Sequence, residues 1–180
     1  GEIGWARVSP RLAEFTEPAQ LTPATPVALF LREHADAWQA LRRVADDPEG
    51  RLTSNARRVL DVLRARGASF FSDVRVASGL DAEDTRRGLG TLVASGLAAS
   101  DGFSGLRALL LNASGRKVLR DRRATFAGRW STIAAPLLEP GDSAAVETEA
   151  WALLRRYGVV FHRILARENI AAPWRDLARV

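Results

Sequence analysis

The 180-residue chain has no cysteine and no methionine, and it contains one lysine, Lys117, and one tyrosine, Tyr157. Without cysteine there is neither a disulfide framework nor a thiolate metal site, which fits a cytoplasmic protein. No apolar run approaches the roughly 18 residues that a membrane span needs. The opening GEIGWARVSP lacks a basic stretch leading into an apolar one. Neither a membrane partner nor a signal peptide is therefore expected. The missing initiator methionine, and an end, PWRDLARV, that stops within a helical pattern, read as a piece of something longer.

Chemistry-bearing patterns are also scarce. There is no GxxxxGKS or GxxxxGKT phosphate loop, no GxSxG elbow and no HExxH. The two histidines, His34 and His162, stand far apart, in no metal-ligand spacing. No pair of acids stands out as an acid/base couple. The sequence in hand reads as non-enzymatic, and it assigns no catalytic residue, cofactor or metal.

What is present is a globular composition, 47% hydrophobic and 26% charged, with 26 basic residues against 21 acidic ones. Arginine suits planar, bidentate phosphate contacts, although a GC-rich genome yields the same bias. The charge is uneven. Residues 1–50 hold five arginines and eight acids, whereas residues 108–130 hold six basic groups and only Asp121. Attraction for phosphate should centre on the middle of the chain.

Residues 1–26, with three prolines ahead of Pro26, read as extended or irregular chain. Val27, Phe30, Leu31, Trp38, Leu41 and Val44 then recur at helical spacing, and DDPEG breaks the pattern. Residues 51–112 are the most legible. Ser54 or Asn55 can cap a helix that runs to Arg66, with Gly67 as its stop. A short helix over about Phe70–Ala77 follows, burying Phe70, Phe71 and Val74. After the Ser78-Gly79-Leu80 turn, Asp81 caps a third helix that ends at Gly96. Helix, short helix, glycine turn and longer helix make a helix-turn-helix. The next stretch predicts a wing: a strand at Leu97–Ser100, a tip at Asp101–Gly105 and a return strand at Leu106–Leu111. Gly102 and Gly105 would supply positive φ.

Residues 113–143 read as a basic connector and linker. Residues 144–180 read as helices over Glu147–Tyr157 and Val159–Glu168 with a Pro173-started third, the opening of a second winged helix. The fold class expected is mainly α with short wing strands: one winged helix, a second truncated one, and an amino-terminal extended and helical segment over residues 1–50.

The candidate contacts follow from that frame. Arg86 and Arg87 lie on the helix that a winged helix offers to the major groove, although Glu83 and Asp84 beside them also fit a plain solvated face. Arg107 would sit in the wing, reaching minor groove or backbone, or simply guarding an edge strand. Arg116, Lys117, Arg120, Arg122 and Arg123 form the densest basic cluster, suited to DNA backbone, or else a charged helix face. Phe103 at the tip either stacks on a base or folds back onto the wing. Trp38 and Trp151 fall in apolar helical patterns and are expected in the core. Trp5 and Trp130, beside arginines, suit cation–π packing or base contact equally.

ARRVLDVLRARGASFFSDVRVASGL and GLGTLVASGLAASDGFSGLRALL resemble the large helicase-related (Lhr) family of bacterial DNA helicases. So do TPVALFLREHADAWQALR before them, and GRW and WALLRRYGVVFHRILARENIAAPWRDLARV after them. The resemblance implies a parent that is an ATP-dependent 3′–5′ DNA helicase linked to DNA repair. Two RecA-like motor domains would bind ATP and Mg, and a long carboxy-terminal extension would carry further winged helices. Uracil-DNA glycosylase activity is attributed to that extension in some members. Its proposed catalytic aspartate has no counterpart here, so no catalytic residue is carried over. The implied partners are DNA (single-stranded, duplex or forked), the motor domains of the same chain, and a second copy in a homo-oligomer. The rival reading is a protein-interaction scaffold without DNA contact, which the acids beside Arg86 favour.

Overall fold

The computed structural model describes residues 2–8, 19–42, 49–113, 128–134, 137–139, 141–168 and 172–180, with the side chains of 111–113 excepted. The elements in chain order begin with β1 (Ile3–Ala6), β2 (Ala28–Leu31), α1 (Ala35–Ala40), α2 (Ser54–Arg66), β3 (Ser69–Phe70) and α3 (Phe71–Ser78). They continue with α4 (Ala82–Ala94), β4 (Ala98–Ser100), α5 (Phe103–Ala113), β5 (Arg129–Thr132), α6 (Ser143–Tyr157) and α7 (Trp174–Leu177). Single 3-10 segments occupy Arg32–His34 and His162–Arg167. The chain divides into a central unit, residues 5–28 and 44–133, and a terminal unit, residues 1–4, 29–43 and 134–180.

The central unit is a winged helix-turn-helix. Thr53, one residue before the expected caps, accepts a hydrogen bond from the Ala56 N–H and starts α2, and Gly67 at φ 72° ends it. Gly79 is left-handed at the turn, and Asp81 caps α4 through the Asp84 N–H, as its sequence pattern predicts. Strands β3, β5 and β4 form one antiparallel sheet in that order, pairing Ser69 with Trp130 and Ala98 with Thr132. Leu60 and Leu63 of α2, Val74 of α3, and Leu89, Leu92 and Val93 of α4 meet Leu106, Leu109 and Trp130 in one core.

The wing differs from the expectation. Phe103–Ala113 is a helix, and the strand returning against β4 comes from Arg129–Thr132. The stretch LRALLL has no β-branched residue, and its leucines and alanine are good helix formers. Leu106, Ala108 and Leu109 are buried by that helix, whereas an alternating strand would have split them between two faces. Neither Gly102 nor Gly105 has positive φ; Gly128, leading into β5, does, at 101°. Gly105 serves close approach instead, since a Cβ there would stand 2.8 Å from both Ser100 Oγ and Trp130 Cζ2.

Other expectations are corrected too. The helical spacing from Val27 breaks down because Ala28–Leu31 is a strand paired with Ile3–Ala6, so part of residues 1–26 is regular as well. Trp5 and Trp130 are core residues, and Trp151 is not: it stands half-exposed on α6. Phe70 lies in β3 and is also half-exposed.

In the terminal unit Asp142 caps α6 by accepting from the Ala144 N–H, and Gly158 at φ 73° ends it. Val146 and Leu153 pack with Ala172 and Leu177. The carboxylate of Glu149 is buried there and accepts from the Ala172 N–H at 2.9 Å, tying α6 to the approach of α7.

Candidate nucleic-acid interface

The first turn of α4 is acidic for a physical reason: Glu83 and Asp84 sit where the helix dipole is positive. Those acids then claim the arginines one turn on. Arg86 is paired with Glu83, and Arg87 reaches Glu83 at 3.3 Å and Asp84 at 3.6 Å. Asp81, Glu83 and Asp84 outnumber Arg86 and Arg87, so the exposed tip of α4 carries a net negative formal charge.

Beyond that tip the helix is enclosed. Gly88, Leu89, Gly90, Leu92, Val93 and Ala94 are all buried. On one side α2 approaches so closely that a Cβ on Gly88 would stand 3.0 Å from Val59 Cγ2. On another, the amino-terminal part of the central unit lies along α4. Leu21 faces Gly90, and the Arg7 guanidinium donates to the Ala94 carbonyl. The carboxy-terminal half of α4 is thus occupied by protein, a cover that local sequence patterns do not show.

The wing presents a different surface. Its base is fixed by Arg129, whose Nε lies 3.0 Å from Asp101. Trp5 donates from its indole to the Gly102 carbonyl at 3.2 Å, and Phe103 stacks on the Trp5 ring with centroids 6.1 Å apart. Phe103 therefore folds back. Arg107 projects from α5 opposite the buried Leu106 and Leu109, exposed and without an ion pair among the described residues. Arg116, Lys117, Arg120, Arg122 and Arg123 lie outside the described residues; in sequence they fall between α5 and β5.

In the terminal unit, Phe161 to Arg167 line a cleft. Phe161 is half-exposed, and His162 meets the Trp174 ring edge-on at 6.1 Å. Arg156 is engaged elsewhere, with both oxygens of Glu168 at 2.8 Å, and that hydrogen bond raises its pKa above the ordinary arginine value. Spacing alone marks His162 as a plain surface or helix residue and so misses its place in this cleft. The signal available is the run Phe-His-Arg shortly after the glycine stop of α6.

Among the described residues no group of histidines and acids could hold a metal ion, and no helix is long and apolar enough to cross a membrane. Residues 139–180 match the family model described as large helicase-related protein, winged-helix domain. No curated protein and no solved structure matches the chain.

Proposed function

We propose, from the match of residues 139–180 to the winged-helix model of the large helicase-related family, that the chain holds DNA for a helicase motor, gripping the backbone through its wing. The observation that carries this reading is where the positive charge lies. In sequence, residues 101–128 fall between β4 and β5, and this stretch includes Arg107 and the run from Arg116 to Arg123, opposed only by Asp101 and Asp121. Backbone binding needs clustered cations that can displace counterions, and makes no demand on base sequence. Arg86 and Arg87 contribute less, because Glu83 and Asp84 already pair with them. Unwinding, ATP and Mg belong on this reading to motor domains of the parent chain, since this sequence has no phosphate loop of its own.

The test is fluorescence anisotropy of labelled single-stranded, duplex and forked DNA at two salt concentrations. Replacing Arg116, Lys117, Arg120, Arg122 and Arg123 by alanine should weaken duplex binding and flatten its salt dependence, by about 0.9 in log–log slope for each phosphate no longer neutralised. Unchanged duplex affinity would overturn the wing assignment.

One observation favours a second reading, a protein-docking scaffold: the carboxy-terminal half of the helix that would enter the major groove is already covered by Arg7 and Leu21. Absence of DNA binding at low salt, with retained binding to the motor domains, would select it.

A further inference from the structure

We infer that the Phe161–Arg167 cleft, with Trp174 beside it, is a second site that takes unpaired bases of single-stranded DNA. The inference rests on the DNA-holding reading for the nature of the polymer, but it uses residues of the terminal unit alone.

A single strand offers flat apolar bases and a regular line of negative charge. A site for it needs exposed ring faces interleaved with cations. The cleft supplies both. Phe161 is 52% exposed and Trp174 36%, far more than their apolar rings would show if they served a core. His162 holds the edge of Trp174, and Arg163 and Arg167 flank the same segment. No carboxylate lines the cleft. The nearest in sequence, Glu168, is held by Arg156 and by the Tyr157 hydroxyl, and Asp176 is paired with Arg175 at 3.1 Å. Arg163 and Arg167 have no ion pair among the described residues.

The central unit provides an internal control. Phe70 stands three residues after Gly67, as Phe161 stands three after Gly158, and each is the extended residue that precedes a helical segment. Both rings are 52% exposed, so the backbone turns them outward in either unit. The residues that follow differ. Phe70 is followed by Phe71, Ser72 and Asp73, with Arg75 the first cation after it, whereas Phe161 is followed directly by His162 and Arg163. Phe70 is also held in the sheet opposite Arg129, which is itself paired with Asp101, whereas Phe161 belongs to no strand.

The experiment is anisotropy of the full chain with a labelled 12-nucleotide oligo-dT and with a labelled duplex, for wild type and variants whose melting is followed in parallel. Phe161→Ala should lower single-strand affinity about tenfold, the scale of one base stack, and leave duplex affinity unchanged. Phe161→Leu should weaken binding as much, and Phe161→Tyr should restore it. The double change Arg163→Ala with Arg167→Ala should reduce the single-strand salt slope by about 1.4, at roughly 0.7 per phosphate. Full affinity in Phe161→Leu would mean apolar burial, as for a docked peptide, and would overturn the inference. So would single-strand affinity in Phe161→Ala within twofold of wild type, or no single-strand binding at low salt. Loss of duplex binding in the wing variants with single-strand binding kept distinguishes the two sites; unchanged duplex binding there sinks the wing reading alone.

Discussion

Helices α2 and α6 end alike, each at a positive-φ glycine followed by an outward phenylalanine, yet they bury their apolar residues to very different extents. Leu60 and Leu63 stand seven and four residues before Gly67 and are 2% and 1% exposed; Trp151 and Leu154, at the same distances from Gly158, are 49% and 41% exposed. The difference lies in which side of each helix faces inward. Helix α2 turns Leu60 and Leu63 toward α4 and Trp130 of β5, whereas α6 turns Val146, Glu149 and Leu153 inward and leaves Trp151 and Leu154 on its other side. Position relative to the terminal glycine does not specify the buried face; the helical period of the apolar residues does. The inward side of α6 is partly polar, with the Glu149 carboxylate inside against the Ala172 N–H.

The sharpest test of this contrast is a matched pair of truncations. Leu63→Ala should destabilise the central unit by about 2–5 kcal/mol, the range for emptying a fully enclosed leucine site. Leu154→Ala should cost well under about 1 kcal/mol, as exposed substitutions do. Denaturant unfolding measures both, and equal costs would show that the α6 face is covered in solution.

Next in size is Glu149→Ala, which should cost about 1–3 kcal/mol by leaving the Ala172 N–H buried without its acceptor; Glu149→Gln, which keeps one oxygen, should recover part of that loss in the same measurement. If the alanine variant unfolds like wild type, the polar tie is not what holds α6 to the α7 approach.

The helical wing has its own signature. Gly105→Ala should cost about 1–3 kcal/mol, because the new methyl would meet Ser100 and the indole of Trp130. Gly102→Ala has open space and should change the melting temperature little. A hairpin tip in which both glycines held positive φ would penalise both substitutions.

The smallest effect concerns the tip of α4. Glu83→Gln removes one negative charge from beside Arg86 and Arg87, and duplex DNA affinity should rise a fewfold at low salt, the gain disappearing as salt screens it. An unchanged affinity would remove α4 from the DNA surface altogether and favour the scaffold.

Legibility in the sequence follows the range of the interactions involved. The helix-turn-helix can be read because its punctuation is local: Gly67, Gly79 and Gly96 at positive φ, and the Asp81 cap, each act within a few residues. The pairing of Arg86 and Arg87 with Glu83 is likewise an i, i+3 and i, i+4 matter. The strand at Ala28–Leu31 escapes such reading because its apolar residues also fit a helix over so short a span, and only pairing with Ile3–Ala6 decides between them.

By itself, then, the sequence determined the order of the α2–α4 helices, their ends, and the concentration of cations between β4 and β5. Local propensity favours a helix over Phe103–Ala113, and tertiary structure decided where it docks, with Gly105 against Trp130 and Ser100. It decided that β5, some 28 residues beyond β4, closes the sheet. It also placed Arg7 and Leu21 over α4, which changes what that helix can touch. Those outcomes turn on contacts between residues far apart in the chain, where local propensity is a weak prior and the free energy of burying a shared surface prevails.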